Sequence, residues 1–332
     1  MIRYIIRRVL FLIPTLLLVS FLVFAIIQAA QGDPAQLALG EGATAEAVEA
    51  KRRELGLDQP FLIQYLNWLK DVIFRFDFGN SYRSNISVAY QIQNYFPNTL
   101  KLSGMAVLLG VLIGVPIGIV AAVKQYSVFD NIVMSFAMIG MSMPAFVLAL
   151  VMLLLFSVTL RWLPPSGFST FKQMILPVVA LGMQPMAICA RMTRSSMLEV
   201  IRQDYIRTIR AKGQTELRVI VGHAFKNAVM PILTTVGLQF GALIGGAFVT
   251  ETIFLIPGFG RLLVTAVTNR DYPLVLGGVV CVAMIVALTN LLIDIAYAFV
   301  DPRVRAEFKG SGGGVFPWQK LKKLVLAMTP EK

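Results

Sequence analysis

Six long apolar stretches dominate this sequence of 332 residues and restrict what it can fold into. A helix needs about 20 mostly apolar residues to cross the hydrocarbon core of a membrane. The stretches are Val9–Ala30, Leu102–Val123, Ile132–Leu160, Ile175–Ala190, Ala228–Thr250 and Leu274–Val300. The third is long enough to need a tilt, and the fourth is short and contains Pro177 and Pro185. The sequence therefore predicts an all-α integral membrane protein with six spans.

The composition agrees with this class. Hydrophobic residues make up 57% of the chain and charged residues only 14%, whereas soluble domains are about 45–50% apolar and about 25% charged. The formal net charge is +12. A soluble chain with this charge would suggest a nucleic-acid partner, but in a membrane protein the charge bears first on orientation. We therefore expect a lipid bilayer and no nucleic acid as a partner.

The distribution of positive charge predicts the orientation. A cytoplasmic N-terminus places residues 1–8, 124–131, 191–227 and 301–332 on the inner side. These segments hold 19 Lys and Arg against 7 Asp and Glu, whereas the outer segments hold 11 against 10. Because cytoplasmic loops carry the excess of Lys and Arg, both termini are predicted to be cytoplasmic. The first span is longer than the apolar region of a signal peptide, so we expect it to be retained.

Few residues in the sequence could support chemistry. Cys189 and Cys281 lie in apolar runs without motif spacing, and His223 is the single histidine. The sequence contains no HExxH or CxxC pattern, and the dipeptide Gly-Lys of a Walker phosphate loop never occurs. We therefore predict no catalytic residue, no metal site and no cofactor bound by this chain, and any ATP would be bound by another subunit.

A long insert separates the first two spans. It contains a helix-like stretch, Ala43–Leu55, and an aromatic stretch, Phe61–Phe78. Bare loops of this length are uncommon, so the insert is predicted to fold. The predicted organisation is a first span at 1–30, an external insert at 31–101, a five-helix core at 102–300 and a cytoplasmic tail at 301–332.

The internal segment between the fourth and fifth spans contains an amphipathic pattern. On a helical wheel of the stretch Glu199–Lys212, four residues share one face, namely Ile201, Tyr205, Thr208 and Ile209. Gly213 follows at the position where a helix commonly ends in a left-handed residue. A helix is therefore predicted at about 199–213. Two readings remain open: a helix that rests on the membrane surface, or a lever that fits a groove on a cytoplasmic partner.

Residues 204–213 read Asp-Tyr-Ile-Arg-Thr-Ile-Arg-Ala-Lys-Gly and resemble the coupling motif of the inner-membrane permeases of ATP-binding-cassette (ABC) importers, in the dipeptide, oligopeptide and nickel branch. The generic motif has Glu-Ala-Ala before its glycine, where this sequence has Arg207, Thr208 and Ile209. Further strings resemble landmarks of the branch: Gly32-Asp33-Pro34, Leu55-Gly56-Leu57-Asp58-Gln59-Pro60, Phe78-Gly79-Asn80-Ser81, Glu251-Thr252-Ile253-Phe254, Pro257-Gly258-Phe259-Gly260, Arg270-Asp271-Tyr272-Pro273 and Asp301-Pro302-Arg303.

The resemblance implies the type I ABC importer permease fold, with six transmembrane helices and a large external insert after the first. It implies a bacterial inner-membrane subunit that pairs with a second homologous permease, two cytoplasmic ATPases that bind ATP and Mg, and an external solute-binding protein. The implied solutes are dipeptides or oligopeptides, with nickel complexes, glutathione or another small solute as alternatives. The resemblance assigns ATPase coupling to Asp204, Tyr205, Arg207, Thr208, Arg210, Ala211, Lys212 and Gly213, with Arg207 and Arg210 expected to contact acidic or carbonyl groups of the ATPase.

Two spans carry a doubled GxxxG pattern, which lets helix backbones approach closely. The glycines are Gly110, Gly114 and Gly118 in the second span, and Gly237, Gly241 and Gly245 in the fifth. Each helix would pack within its own bundle or against the partner permease, and the sequence does not separate these cases.

Three further residues are candidates for gating or for the solute pathway. Met138 and Met141 belong to a methionine-rich run before Pro144, where flexible thioethers could adapt to varied ligands or simply fill space. Asp294 is the carboxylate well inside a span, and intramembrane charges are functional candidates by default. A single such charge without a repeat between the two halves disfavours an ion-coupled secondary transporter. A polytopic membrane enzyme is disfavoured because no ligand or nucleophile cluster exists.

Overall fold

The computed structural model describes residues 2–29, 33–40 and 42–300. The side chains of residues 2–5, 7, 8, 294 and 296–300 are outside this description. The predicted tail at 301–332 and the side chain of Asp294 therefore lie outside the described residues, and the prediction for Asp294 stays a prediction.

The described part of the chain is helical, and its extended pairing is confined to one bridge between Asn80 and Ser87. The helices are α1 (Ile2–Ala29), α2 (Pro34–Leu39), α3 (Ala45–Glu54), α4 (Phe61–Arg75), α5 (Val88–Val123), α6 (Val128–Ser142), α7 (Ala145–Met152), α8 (Phe171–Ile201), α9 (Asp204–Ala211), α10 (Lys226–Gly246), α11 (Phe248–Ile253), α12 (Phe259–Thr268) and α13 (Tyr272–Val300). Wider π-helical stretches, Leu153–Thr159 and Arg218–Phe225, continue α7 and precede α10.

Five of the predicted spans are long apolar helices, and the sixth is a bent pair. Helices α1, α5, α8, α10 and α13 are long and apolar enough to cross a membrane. The span expected at Ile175–Ala190 is longer than predicted, because α8 runs from Phe171 to Ile201 with both prolines inside it. Prolines are tolerated in such helices where neighbouring helices and local adjustments satisfy the freed backbone groups. The all-α membrane fold is thus confirmed.

The expectation of one tilted helix over Ile132–Leu160 is wrong. α6 ends at Ser142, α7 begins at Ala145, and the two helices are bent by 101°. Pro144 lies at the break, and Met143 before it is extended, with φ −81° and ψ 122°. A proline ring clashes with a helical conformation of the residue before it and supplies no N–H. The proline that ends the methionine run therefore breaks this span.

α5 and α8 form the centre of the bundle. A buried cluster at one end of the pair includes Leu102, Leu176 and Phe254, all at most 1% exposed. A second cluster at the other end gathers Met197 and Val219, both fully buried. The two ends of the bundle are therefore each closed by residues from the connecting segments, α11 at one end and α9 with its neighbours at the other.

The predicted external insert is folded. α3 starts after Thr44, whose hydroxyl accepts a hydrogen bond from the Ala47 N–H at 3.3 Å, as expected for an N-cap. Asp271, just before α13, accepts hydrogen bonds from the Ser81 hydroxyl at 2.5 Å and the Tyr82 N–H at 3.0 Å. The insert is thus attached to the connection that leads into the last helix.

Candidate coupling site

The predicted helix at 199–213 is divided in the structure. α8 continues through Ile201, the chain turns at Arg202 and Gln203, and α9 covers Asp204–Ala211. The turn changes the helical register, so the buried residue of α9 is Ile206, which is fully buried, whereas Tyr205 is 40% exposed. The face expected from Ile201, Tyr205, Thr208 and Ile209 is therefore wrong at Tyr205 and at Thr208, which are both exposed. Ile206 packs into the cluster of Met197, Val219 and Ala224.

Polar bonds connect α9 to the start of α10. The Asn227 amide nitrogen donates to the Tyr205 hydroxyl at 2.9 Å and to the His223 carbonyl at 3.0 Å. Within α9, the Thr208 hydroxyl donates to the Asp204 carbonyl at 3.1 Å. Together with Ile206, the bond from Asn227 to Tyr205 attaches one short helix to the ends of two long ones, α8 and α10.

The turn after α9 contains the glycine that the sequence indicated. Gly213 has φ +76°, and an added Cβ there would meet no atom of the described residues within 4 Å. Arg210 closes the turn with two bonds to Glu216, from Nε at 3.1 Å and from Nη2 at 2.6 Å. The hydrogen bonds and charge of Arg210 lower the pKa of Glu216. The glycine therefore serves the backbone conformation rather than close packing.

Most of α9 faces outward. Asp204, Arg207, Thr208, Ala211 and Lys212 are exposed. The Arg207 side chain is 75% exposed and pairs with Asp204 at 3.7 Å. Arg210, by contrast, already has Glu216 as its partner, so of the two arginines expected to meet another protein, Arg207 is the more available. Leu217, 76% exposed, adds an apolar side chain close to this surface.

An ion pair that the sequence reasoning missed joins the same end of the bundle. Arg194 of α8 makes two bonds of 2.6 Å to the carboxylate of Asp130 in α6, and Asp130 is 1% exposed. Asp130 also accepts the Tyr126 N–H at 2.9 Å, and its own N–H donates to the Ser127 hydroxyl at 3.2 Å. The pattern Ser127-x-x-Asp130 marks a helix start, but the partner lies 64 residues away and local spacing could not reveal it.

The sequence also did not indicate that a carboxylate is buried at the opposite end of the helical bundle. Glu251 of α11 is fully buried. One carboxylate oxygen pairs with the Thr99 hydroxyl, and the other accepts the Arg261 N–H at 2.8 Å. The Thr99 hydroxyl also accepts the Phe259 N–H at 2.7 Å. Burial raises the pKa of Glu251. Glu251 thus fixes the connection between α10 and α12 onto α5.

The two glycine series have different surroundings. Gly110, Gly114 and Gly118 face the backbone of α8, where an added Cβ would lie 2.5–3.0 Å from main-chain atoms. In α10, Gly237 faces the side chain of Ile293, and a Cβ on Gly241 would first meet Val286 at 3.9 Å. A Cβ on Gly245 would meet no atom of the residues that the structure describes within 4 Å. The structure therefore assigns the α5 series to packing within this chain.

Met138 and Met141, the proposed pathway methionines, both belong to α6. Met138 is 57% exposed on α6, and Met141 is half-buried. Neither lines the pocket of about 740 Å³ between the insert, α1 and α13, or the apolar pocket of about 270 Å³ between α5 and α8. Their role stays a prediction. Among the described residues no group of three or more His, Cys, Asp or Glu is placed to hold a metal ion.

Comparisons with known proteins identify the family. The model of the binding-protein-dependent transport system inner membrane component matches residues 114–306, and the model of the N-terminal region of such membrane components matches residues 1–103. The dipeptide transport system permease DppB of Alkalihalophilus pseudofirmus is 43% identical, over 92% of this chain and all of that protein. The glutathione transport system permease GsiC of Salmonella typhi is 42% identical, over 92% and 99%.

A solved structure gives the same fold. An inward-facing structure of the MetNI methionine ABC transporter covers 64% of this chain and 97% of its own, with a TM-score of 0.54 and 19% sequence identity. Its similarity supports the type I importer permease fold. Together with the two family models, which cover most of the sequence, it places the helical bundle, the insert and α9 in one known class. The chain belongs to the family of binding-protein-dependent transport system inner membrane components, the permease subunits of ABC importers.

Proposed function

We propose that this chain is the permease subunit of an importer for short peptides and that α9 is its lever on a cytoplasmic ATPase. One feature of α9 carries this proposal. The helix is attached to α8 through the buried Ile206 and to α10 through the bond from Asn227 to Tyr205, while its other residues, apart from the half-buried Ile209, are exposed. A force on the exposed side is therefore passed to two membrane helices.

The mechanism follows from this attachment. ATP and Mg would be held by two cytoplasmic ATPase subunits, and closure of these subunits would displace α9. Displacement of α9 would shift α8 and α10 and switch the pathway between inward-facing and outward-facing states. The exposed Arg207 would pair with acidic or carbonyl groups of the ATPase, while Arg210 and Glu216 hold the turn. An exposed guanidinium suits this role because it donates several hydrogen bonds in a fixed geometry.

The assembly would contain a second homologous permease and an external binding protein that delivers the peptide. The positive charge on the α9 side supports a location of this subunit in the inner membrane of a bacterium, with α9 and both termini in the cytoplasm.

Relatives named for dipeptide and for glutathione transport support a solute with a peptide backbone. Uptake of a labelled dipeptide and of labelled glutathione by proteoliposomes, each with the natural binding protein, separates these two solutes.

Gly213→Val tests the lever. A β-branched residue at φ +76° is strained, because only glycine and, less often, Asn adopt the left-handed region at low cost. The variant should lose most peptide uptake and most stimulation of ATPase activity by the loaded binding protein, in the full complex reconstituted in liposomes. The binding protein should still bind its peptide.

Gly213→Asn is the matched control. Asn tolerates the left-handed conformation, and within the described part of the chain no atom lies within 4 Å of the added Cβ. Uptake by Gly213→Asn should therefore stay near that of the unchanged complex. Normal uptake and normal ATPase stimulation in both the Val and the Asn variant would contradict the role of α9 as a lever. Loss of uptake in both variants would show that the surface at this position, rather than the backbone turn, tolerates no side chain.

A further inference from the structure

α4 of the insert has three different faces along its length. An aromatic face, formed by Phe61, Tyr65 and Trp68, packs on Phe21 and Phe24 of α1, with ring centroids 5.3–6.4 Å apart. A polar face lines the 740 Å³ pocket with Gln64, Asn67 and Asp71. The third face is apolar and exposed, and consists of Leu62, Ile63, Leu66, Ile73 and Phe74, which are 46–78% exposed.

The contacts of α4 place it at membrane depth. The Tyr65 hydroxyl lies 2.9 Å from the Ser20 hydroxyl and donates to the Leu17 carbonyl at 3.2 Å. Both residues lie near the middle of the apolar stretch Val9–Ala29 of α1. The aromatic face of α4 packs on Phe21 and Phe24, which lie about 12 Å and about 8 Å below Ala29 at a rise of 1.5 Å per residue, and the hydrocarbon core is about 30 Å thick. A helix attached to this point of α1 is not surrounded by water.

The exposed face of α4 continues an apolar surface of α1. Leu18 and Leu22 of α1, each one position after a residue that contacts α4, are 59% and 50% exposed, and Ile26, two positions after Phe24, is 68% exposed. Such a surface on a membrane span is the ordinary contact with acyl chains. The exposed side chains of α4 therefore extend a lipid-facing surface, and a water-soluble binding protein does not have access at that depth.

One charged residue interrupts the apolar face of α4. Lys70 is exposed and lies on the wheel between Leu66 and Ile63. A lysine on the apolar side of an interfacial helix extends its ammonium group to the lipid headgroups while its stem stays among acyl chains. Lys70 is thus placed to pair with a lipid phosphate.

We propose that α4 is an interfacial helix, embedded in the leaflet at the Ala29 end of α1, which is the outer leaflet in the orientation proposed above. Its occupant is lipid: Leu62, Leu66 and Ile73 contact acyl chains, and Lys70 pairs with a headgroup phosphate. The predicted external insert is therefore in part a membrane-embedded structure that anchors the wall of the polar pocket beside α1.

Spin labels on single cysteines test this placement in the full complex in lipid nanodiscs, after Cys189→Ala and Cys281→Ala. Labels at Leu66→Cys and Ile73→Cys should be accessible to oxygen and protected from a water-soluble nickel chelate. Leu18→Cys on α1 is the lipid control, and Ala50→Cys on the exposed side of α3 is the water control. For each label we compare the rate of collision with oxygen to the rate of collision with the nickel chelate. We expect this ratio at Leu66 and Ile73 to resemble the ratio at Leu18 and to exceed the ratio at Ala50 several-fold.

Each other outcome overturns the proposal. Access of the nickel chelate at Leu66 and Ile73 equal to that at Ala50 would place α4 in water. Protection from both reagents would show that the second permease or the binding protein covers the face. Lys70→Glu should raise nickel access at Leu66, because a carboxylate is repelled by phosphate, and Lys70→Arg should not. Equal access in these two variants would overturn the phosphate contact, and peptide uptake by each variant reports independently on the proposed function.

Discussion

Helices α5 and α10 carry the same spacing of three glycines and use it differently. In α5 all three glycines are buried against α8, and an added Cβ on Gly114 or Gly118 would lie 2.5 Å from the carbonyl oxygen of Met186 or Ala190. In α10 the surroundings loosen along the helix, from Ile293 beside Gly237 to open space at Gly245. The GxxxG spacing therefore indicates that another helix could pack closely against the backbone, but it does not show whether that helix belongs to this chain.

The atoms that face each glycine determine how much stability is lost when the glycine is replaced by alanine. A main-chain oxygen moves only if the whole helix moves, whereas the end of an isoleucine side chain can rotate. Replacing glycine by alanine also gains about 1 kcal/mol of helix propensity. Steric cost and propensity thus compete at each position, and the three kinds of surroundings predict three different results.

The largest effect is expected for Gly114→Ala combined with Gly118→Ala. Overpacking of a core costs about 1–3 kcal/mol at each site, and the upper end applies here because the added carbons meet the backbone of α8. After the gain in propensity, we expect a net loss of about 2 kcal/mol at each site. Thermal denaturation of the purified complex, together with its yield, measures the loss.

Gly104→Ala is the control in the same helix. The nearest atom to its added Cβ is Cε2 of Phe240, at 4.0 Å, so the melting temperature should stay unchanged or rise slightly. If the double variant is as stable as Gly104→Ala, the close contact between α5 and α8 is wrong.

An intermediate effect is expected for Gly237→Ala. The added carbon meets the side chain of Ile293, which must leave its rotamer at a cost of about 1 kcal/mol. The gain in propensity is of the same size, so the net change should be close to zero. Ile293→Ala removes both side-chain carbons that the added carbon meets most closely and should couple favourably with Gly237→Ala in a double-mutant cycle. A loss as large as in α5 would mean that Ile293 has no space to rotate.

The sequence predicted the apolar helices well because their signal is local. A run of about 20 apolar residues identifies a span without knowledge of its neighbours, and the positive φ of Gly213 followed from a helix-ending pattern. Pro144 was visible too, but the sequence did not show whether it would bend the span or end it. The structure resolves this with a bend of 101°.

The features that were missed depend on distant partners. Ile206 rather than Tyr205 is buried because two residues of turn separate α8 from α9 and reset the register. Asp130 needs Arg194, and Glu251 needs Thr99, which lies 152 residues away. No spacing rule relates such residues. The coupling motif itself was found only as a resemblance, and its roles stay predictions until the assembly is tested.

The smallest effect on the stability of this chain is expected at Gly245. Substitution of this glycine also tests whether this end of α10 contacts another subunit. Gly245→Ala should leave the stability of the chain unchanged or raise it by at most about 1 kcal/mol, because no atom of the described residues lies within 4 Å of the added Cβ. Lipid alone does not require a glycine, whereas a closely packed helix does.

Gly245→Leu adds a larger side chain at this position. If the second permease packs on this end of α10, Gly245→Leu should lower the amount of that permease that co-purifies, while the chain itself still folds. Ser135→Leu, on an exposed part of α6, is the control and should not change the pairing. Equal co-purification in both leucine variants would place the contact between the permeases elsewhere and leave the open glycine of α10 facing lipid.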